Sequence, residues 1–134
     1  MQWSDGINGG FTEGNPWIQV NENTCFINAE TELQDPDSVF IFYKKLIRLR
    51  KEYDIIAYGE FESKAEKHLS IFAYKRYYKG KELLVINNFY GNHVRWDAGE
   101  DLELYECLLG NYEKQDINGT EVILKPYETM ILYK

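Results

Sequence analysis

The fold is decided by residues 69–90, LSIFAYKRYYKGKELLVINNFY. Two segments within this stretch, 69–78 and 83–90, are rich in Val, Ile, Leu, Phe and Tyr and follow the two-residue period of a β-strand. Tyr78-Lys79-Gly80-Lys81 stands between them and favours a hairpin turn. We therefore expect two long antiparallel strands joined by this turn.

Further short strands are predicted on both sides of the hairpin. Segments of similar composition lie at 58–63, 102–109, 121–125 and 127–133. Gly, Asn and Pro separate them, and Asn118-Gly119 is the strongest of these turn signals. Strands that alternate with turns about every eight to twelve residues are typical of an antiparallel sandwich. The predicted fold class is therefore mainly β, with a β-sandwich over 58–134.

The sequence ahead of the sandwich predicts a loop and two helices. Residues 1–28 have no sustained periodicity and are rich in Gly and Asn, which predicts a long loop. Asn28 is a suitable N-cap for a short helix over 29–34. Asp35 and Pro36 favour the start of a longer helix over 36–52, whose apolar residues recur at three- and four-residue spacing. We expect one structural part at 1–57 and a second at 58–134.

Composition excludes several classes of protein. The hydrophobic fraction of 44% and the aromatic fraction of 16% argue against disorder. A net charge of −7 argues against nucleic-acid and anionic-membrane partners. There is no apolar run long enough for a membrane span and no secretory signal. Cys25 and Cys107 fit no metal-ligand spacing and predict two free thiols in a cytoplasmic protein. We expect no metal and no cofactor.

Ordered motifs along the chain resemble one enzyme family. The sharpest are Met1-Gln2-Trp3, Gly10-Phe11 and Pro16-Trp17-Ile18, followed by Asp35-Pro36-Asp37-Ser38 leading into 42–51. Weaker ones lie at 58–59, 83–89 and 124–128. Together they resemble the alpha-glucosidase branch of the alpha-amylase family, which includes oligo-1,6-glucosidases, dextran glucosidases and trehalose-6-phosphate hydrolases. Ser4 and Gly9 depart from the pattern, since the family usually has an acidic residue and a small residue, often Ala, there.

The resemblance implies the C-terminal portion of a retaining alpha-glucosidase. In the family, residues 36–52 correspond to the last helix of a (β/α)8 barrel, and 58–134 to a C-terminal Greek-key domain. The catalytic aspartate and glutamate, about 5 Å apart in retaining enzymes, precede Met1 in the family order. No catalytic residue is therefore expected here, and the chain alone is expected to be structural and inactive. An alpha-glucan or oligosaccharide would be bound only in the complete enzyme.

The resemblance also places Gln2, Trp3, Asp5 and Phe11 in a loop at the rim of the active-site mouth. Trp3, Phe11 and Trp17 could stack on sugar rings, because aromatic rings offer a flat apolar face. The interpretation we favour is that they anchor the long loop onto the barrel. The sequence does not select the substrate among isomaltose, dextran and trehalose 6-phosphate.

Two other kinds of function remain open. Tyr74, Tyr77 and Tyr78 could form a carbohydrate-binding platform on an independent sandwich, although tyrosine is also an ordinary strand residue. A protein-interaction module that docks through the apolar face of the long helix is the other alternative. We expect the isolated chain either to self-associate through this face or to have a disordered N-terminal loop.

The remaining charged groups do not predict a site. Asp5 and Glu13 flank the loop, but acidic residues are too frequent in this chain for that spacing to be informative. His93, Arg95 and Asp97 alternate along a strand and are expected on its solvated face. A basic run ends the long helix and is typical of a solvated helix terminus; it comprises Lys44, Lys45, Arg48, Arg50 and Lys51.

Overall fold

The computed structural model describes residues Met1–Lys134. They form two compact units, Met1–Arg48 and Leu49–Lys134. This division lies earlier than the sequence-based one at 57/58, because residues Tyr53–Ile56 pack within the second unit. No helix has the length and apolarity needed to cross a membrane.

The first unit contains the predicted loop and the predicted short helix. The loop is shaped by a kinked turn at Ile7–Gly10, where Asn8 and Gly9 have positive φ, and by a 3₁₀ turn at Glu22–Cys25. Helix α1 spans Ala29–Gln34, as predicted. The Asn28 side chain caps this helix, since its Oδ1 accepts a hydrogen bond from the Thr31 N–H at 2.9 Å.

Helix α2 spans Val39–Glu52, so the predicted start at Pro36 is wrong. Asp35 instead terminates α1, and its carboxylate accepts from the Asp37 N–H at 2.9 Å. Ser38 takes the capping role for α2. Its Oγ accepts from the Ile41 N–H at 3.2 Å and donates to the Glu32 carbonyl at 2.7 Å. The hydroxyl thus satisfies a free donor of α2 and a free acceptor of α1 at the same time.

The second unit is a two-sheet antiparallel structure with a short helix, α3, at Asp54–Tyr58. A five-stranded sheet has the order β1-β2-β3-β8-β5, and a three-stranded sheet has the order β4-β7-β6. The strands are β1 Glu60–Ser63, β2 Ile71–Tyr78, β3 Lys81–Asn88, β4 Val94–Asp97, β5 Glu106–Gly110, β6 Asp116–Asn118, β7 Glu121–Leu124 and β8 Thr129–Tyr133.

These strands confirm the predicted sandwich. The hairpin of β2 and β3 is paired from Ile71↔Asn88 to Tyr78↔Lys81. β8 lies between β3 and β5, and β4 pairs with β7, so neighbouring strands are non-sequential as in a Greek key. The predicted segments 58–63 and 102–109 begin too early, because Tyr58 ends α3 and Leu102–Leu104 form a 3₁₀ turn before β5.

The main core lies between the two sheets. Alternate residues of β2, β3 and β8 pack against β7, as the two-residue period requires. The fully buried side chains of this core include Leu84, Ile86, Leu102, Val122, Leu124, Met130 and Leu132. Apolar burial on this scale is the main source of stability in a domain of this size.

Helix α3 packs on part of the opposite face of the five-stranded sheet. Ile55, Leu83 and Val85 form a second buried cluster there. Arg76 holds the end of α3, donating from Nε to the Ile55 carbonyl at 3.0 Å and from Nη2 to the Gly59 carbonyl at 2.7 Å. A Cβ at Gly59 would lie 2.5 Å from the Ile55 oxygen, so this close approach requires glycine.

Candidate functional site

The backbone of residues 2–4 is fixed by hydrogen bonds on both sides of the chain. The carbonyl of Gln2 accepts from the Ala29 N–H at 2.8 Å, and that of Trp3 accepts from the Glu30 N–H at 3.1 Å. The Ser4 carbonyl accepts from the Thr24 hydroxyl at 3.1 Å. The N–H groups of Trp3 and Ser4 donate to the Gly9 carbonyl at 2.8 and 3.3 Å. The segment is therefore ordered without belonging to a helix or strand.

The loop brings together two of the predicted rim residues. The rings of Trp3 and Phe11 meet edge-to-face, with centroids 6.5 Å apart and an interplanar angle of 67°. Trp3 is 63% exposed and Phe11 is 53% exposed, so the pair presents apolar surface to solvent. Asp5 is also exposed and follows on the same loop. An exposed aromatic pair can contact the apolar faces of a sugar.

Gln2 has a different environment from the other three. Its side chain is buried, and its Nε2 donates to Asn23 Oδ1 at 3.3 Å. Gly9 lies against it with φ of +64°, and a Cβ there would be 3.0 Å from Gln2 Cγ. Within this chain Gln2 supports the loop, whereas Trp3, Asp5 and Phe11 are the residues presented outward.

A groove of about 640 Å³ runs along the same loop. Trp17 contributes to its wall and is 94% exposed. The residues lining it are Met1, Gln2, Phe11, Thr12, Asn15, Pro16, Trp17, Ile18, Gln19, Val20 and Asn21. No group of three or more His, Cys, Asp or Glu side chains is arranged to hold a metal ion.

The outer face of the five-stranded sheet carries a row of aromatic rings, which we call the aromatic row: Phe61, Tyr74, Phe72 and Phe89. Successive ring centroids are 5.2, 5.6 and 6.2 Å apart. The three phenylalanines are exposed, and burial raises the pKa of the Tyr74 hydroxyl. This row was not predicted, because it combines residues from β1, β2 and the segment after β3.

The predicted tyrosine platform does not form as one surface. Tyr74 and Tyr78 lie on the outer face of β2, whereas Tyr77 points to the other face because strand residues alternate. The Tyr77 hydroxyl donates to the Glu62 carboxylate at 2.6 Å. Burial, together with this hydrogen bond, raises the pKa of Tyr77 to about 12. Tyr77 is thus a structural strand residue.

The sandwich contains an ionic cluster that sequence reasoning missed. It consists of Lys75, Glu82, Glu100, Tyr105 and Lys134. Lys75 is 3% exposed, and its Nζ donates to Glu82 at 2.6 Å and to Glu100. The Tyr105 hydroxyl lies 2.8 Å from both carboxylates. Burying an ammonium group in this way requires such partners.

The pKa values of the cluster follow from these contacts. Burial disfavours the charge on Glu82, but hydrogen bonds from Lys75, Tyr105 and Lys134 outweigh it and lower its pKa to about 2. Burial likewise disfavours the charge on Lys75, and the bonds to Glu100 and Glu82 outweigh it and raise its pKa. Burial and the two carboxylates raise the pKa of Tyr105. Every ionisable group of the ionic cluster forms a hydrogen bond or an ion pair with another residue of the cluster. This indicates that the cluster is structural.

The other charged candidates are solvated. Arg95 and Asp97 are exposed on β4, and His93 is exposed directly before it, whereas Val94 and Trp96 alternate with them toward the core. Arg95 lies 3.5 Å from Glu121 on the neighbouring strand. Asp5 and Glu13 are both exposed on the N-terminal loop.

Comparison with known proteins assigns both units to parts of one enzyme family. The pattern of the alpha-amylase catalytic domain matches residues 1–59. The pattern of the C-terminal domain of the alpha-amylase SusG matches residues 71–131. The two patterns occur in this order and occupy most of the chain. The chain belongs to the alpha-amylase family.

Curated relatives place this alpha-amylase-family chain on the alpha-glucosidase branch. It is 44% identical to an oligo-1,6-glucosidase of Halalkalibacterium halodurans, over 98% of this chain and 24% of the relative. It is 43% identical to a trehalose-6-phosphate hydrolase of Bacillus subtilis, again over 98% of this chain and 24% of the relative. The chain therefore spans about a quarter of the length of the curated relatives it matches.

A solved structure shows the same fold. The chain superposes on the trehalose-6-phosphate hydrolase of Bacillus licheniformis with a TM-score of 0.90 and 40% identity, covering 98% of this chain and 24% of that one. The predicted family and fold class are thus confirmed. The N-terminal loop lies in the part of the alpha-amylase-family chain that matches the catalytic domain, whereas the aromatic row and the ionic cluster lie beyond residue 59.

Proposed function

We propose that this chain is the C-terminal part of a retaining alpha-glucosidase that hydrolyses alpha-glucosidic bonds in oligosaccharides. The observation that carries the proposal is the match of 98% of the chain to an oligo-1,6-glucosidase at 44% identity. In this proposal the catalytic aspartate and glutamate are supplied by residues outside 1–134. The chain itself contributes structure and the rim of the substrate site.

The two parts of the chain would serve the enzyme differently. The loop at Gln2–Phe11 holds its backbone rigidly and presents Trp3, Asp5 and Phe11 outward, as a rim that contacts substrate should. The sandwich has its own buried core and carries no cluster of reactive groups beyond the fully paired ionic cluster. Its proposed role is to stabilise the enzyme.

The test of this proposal is a comparison of two purified proteins with p-nitrophenyl alpha-glucoside. The product of the complete gene is expected to hydrolyse it, and the 134-residue chain is expected to show no turnover. Hydrolysis by the 134-residue chain at a rate proportional to its own concentration would contradict the assignment of the carboxylates to other residues. Absence of hydrolysis by the complete product would contradict the alpha-glucosidase proposal.

The substrate within this class is a separate question, because the relatives named above act on different compounds by name. Isomaltose, dextran and trehalose 6-phosphate should be compared by their kcat/KM with the complete gene product. A preference for isomaltose would assign the enzyme to the oligo-1,6-glucosidases. A preference for trehalose 6-phosphate would assign the enzyme to the trehalose-6-phosphate hydrolases.

A second candidate function, carbohydrate binding by the sandwich itself, is favoured by the aromatic row. Ring stacking on sugars needs exposed faces, and Phe61, Phe72 and Phe89 are 59%, 45% and 64% exposed. Calorimetry with isomaltose or dextran tests it. Saturable binding that is lost in Phe72→Ala and kept in Phe26→Ala, an exposed phenylalanine of the first unit, would support a binding module.

A cytoplasmic location is proposed on the basis of the cysteines. Cys25 and Cys107 are both free, and free thiols persist in reducing compartments. Burial raises the pKa of the Cys107 thiol, which lowers its reactivity. Fractionation of the source cells with an antibody against the chain would test the location.

A further inference from the structure

We propose that Asn28 is a positioning residue, which sets the place of the Trp3 and Asp5 side chains by fixing the backbone behind them. The inference rests on the proposed function where it concerns substrate affinity, and on geometry alone where it concerns the loop. Asn28 is 1% exposed, although its side chain is polar. A buried amide must have its hydrogen bonds satisfied, so its partners show what it holds together.

The Asn28 amide joins two elements of the first unit. Its Nδ2 donates to the carbonyl of Thr24, in the 3₁₀ turn Glu22–Cys25, at 2.9 Å. Its Oδ1 accepts from the Thr31 N–H at 2.9 Å and from the Thr31 hydroxyl at 3.0 Å. One side chain therefore fixes the 3₁₀ turn relative to the start of α1.

Both elements bind the segment that carries Trp3. The start of α1 donates to the carbonyls of Gln2 and Trp3, and Thr24 donates to the carbonyl of Ser4. Three consecutive carbonyls thus accept from donors whose relative position depends on Asn28. The side chain of Asn28 makes no hydrogen bond to residues 2–5, so its effect on the segment is transmitted through Thr24 and α1.

The consequence for an alpha-glucosidase is preorganisation of the rim. The backbone at Trp3 is held by bonds to both its N–H and its carbonyl, while the side chain is 63% exposed. Loosening the backbone would let Trp3 and Asp5 sample positions that do not contact substrate, which lowers affinity. Contacts made by a rim are similar in the ground state and the transition state, so KM should change and kcat should not.

The decisive variant is Asn28→Ser in the complete gene product. Serine keeps an oxygen that can cap α1, but it is too short and lacks the N–H needed to reach the Thr24 carbonyl. Thr24→Val is a milder second variant, since it removes the hydroxyl that binds Ser4 and keeps the side-chain shape.

Asn88→Ser in the sandwich is the matched control. Asn88 is 2% exposed, and its Nδ2 likewise donates to backbone carbonyls, those of Asn92 and Lys125, at 2.8 Å. It lies in the second unit. The control therefore removes an equivalent buried amide that has no connection to the N-terminal loop.

The expected result is that Asn28→Ser raises KM for p-nitrophenyl alpha-glucoside about 3- to 10-fold, the effect of roughly one hydrogen bond, with kcat within about twofold. Thr24→Val should also raise KM. The increase in KM of the double variant should be smaller than the product of the two single increases, because both substitutions act on the same segment. Asn88→Ser should lower thermal stability and leave KM unchanged. Equal KM values for Asn28→Ser and Asn88→Ser would overturn the proposal.

A second measurement does not depend on activity. Incorporation of 5-fluorotryptophan gives a ¹⁹F resonance for Trp3, assigned by its loss in Trp3→Phe. This resonance should shift or broaden in Asn28→Ser and in Thr24→Val and stay unchanged in Asn88→Ser. An unchanged Trp3 resonance in folded Asn28→Ser overturns the positioning role. If the unmodified complete protein is inactive, the alpha-glucosidase proposal is overturned. The positioning role of Asn28 is then decided by the ¹⁹F resonance of Trp3 alone.

Discussion

At the scale of single residues, Glu82 has the most consequential environment. It accepts from Lys75 at 2.6 Å and from Tyr105 at 2.8 Å, and it lies 3.3 Å from Lys134. Tyr105 and Lys134 are far from Glu82 in sequence, so no local pattern could predict that they meet it. What the sequence does predict is the alternation that puts Lys75 and Glu82 on the same side of the β2–β3 hairpin.

The first prediction concerns acid stability. The pKa of Glu82 is about 2 in the folded chain, below its ordinary value of 4.5. A lowered folded-state pKa stabilises the fold above pH 4.5, and this contribution is lost as the pH falls from about 4.5 toward 2. Glu82→Gln should therefore lower the free energy of unfolding by about 2 kcal/mol at pH 7. This difference from the unmodified chain should become smaller as the pH falls from about 4.5 toward 2.

Urea denaturation at pH 7, 4 and 3 would measure this difference. Glu121→Gln is the control, because Glu121 is exposed and its pair with Arg95 at 3.5 Å should contribute less than about 0.5 kcal/mol. If the difference in unfolding free energy between Glu82→Gln and the unmodified chain stays constant from pH 7 to pH 3, the predicted role of Glu82 in acid stability is wrong.

At the scale of elements, periodicity predicted the structures that are long or strongly capped. The β2–β3 hairpin, α1 and most of α2 lie where the sequence places them. Helix α3 was not predicted, because five residues are too few for helix formation by propensity. It is held by tertiary contacts, namely the packing of Ile55 on Leu83 and Val85 and the two hydrogen bonds from Arg76.

The second prediction tests this dependence of α3 on Arg76. Arg76→Ala removes the guanidinium donors to the Ile55 and Gly59 carbonyls and should destabilise the second unit by about 2–3 kcal/mol. Chemical denaturation followed by circular dichroism measures the change. Arg95→Ala, at an exposed ion pair, should cost less than about 0.5 kcal/mol. Equal effects of the two variants would contradict the role of Arg76.

The third prediction concerns the start of α2. Ser38 is 5% exposed and bonds to both α1 and α2, whereas Asp35 is exposed and caps a turn. Ser38→Ala should destabilise the first unit by about 1–2 kcal/mol. Asp35→Ala should cost less. Thermal unfolding of both variants compares them, and a larger effect at Asp35 would restore the earlier helix start that the sequence predicts.

At the scale of the whole molecule, family and fold class were predictable, and the details of the rim were predictable in part. The motif containing Trp3 and Phe11 identified the loop, and the structure brings these two rings together. The inward orientation of Gln2 could not be deduced, because it depends on the close approach of Gly9 and on a hydrogen bond to Asn23, which is remote in sequence. Substrate choice stays open because this chain spans about a quarter of its relatives.

The last prediction concerns association of the isolated chain. Helix α2 has no buried residue, and its apolar stripe of Val39, Tyr43 and Ile47 is 78%, 64% and 44% exposed. Exposed apolar stripes of this kind favour contact with another surface. We expect the 134-residue chain to form dimers at micromolar concentration in sedimentation velocity experiments. Ile47→Glu should weaken this association at least about tenfold, because a buried charge is costly.

Lys44→Glu provides the matched control for that experiment. Lys44 lies on the same helix and is exposed outside the apolar stripe, so the variant introduces the same carboxylate away from the proposed contact. It should leave the dimerisation constant within about threefold, since exposed charges interact weakly. A chain that remains monomeric at all concentrations, or one whose dimerisation is as sensitive to Lys44→Glu as to Ile47→Glu, would show that this stripe does not drive self-association.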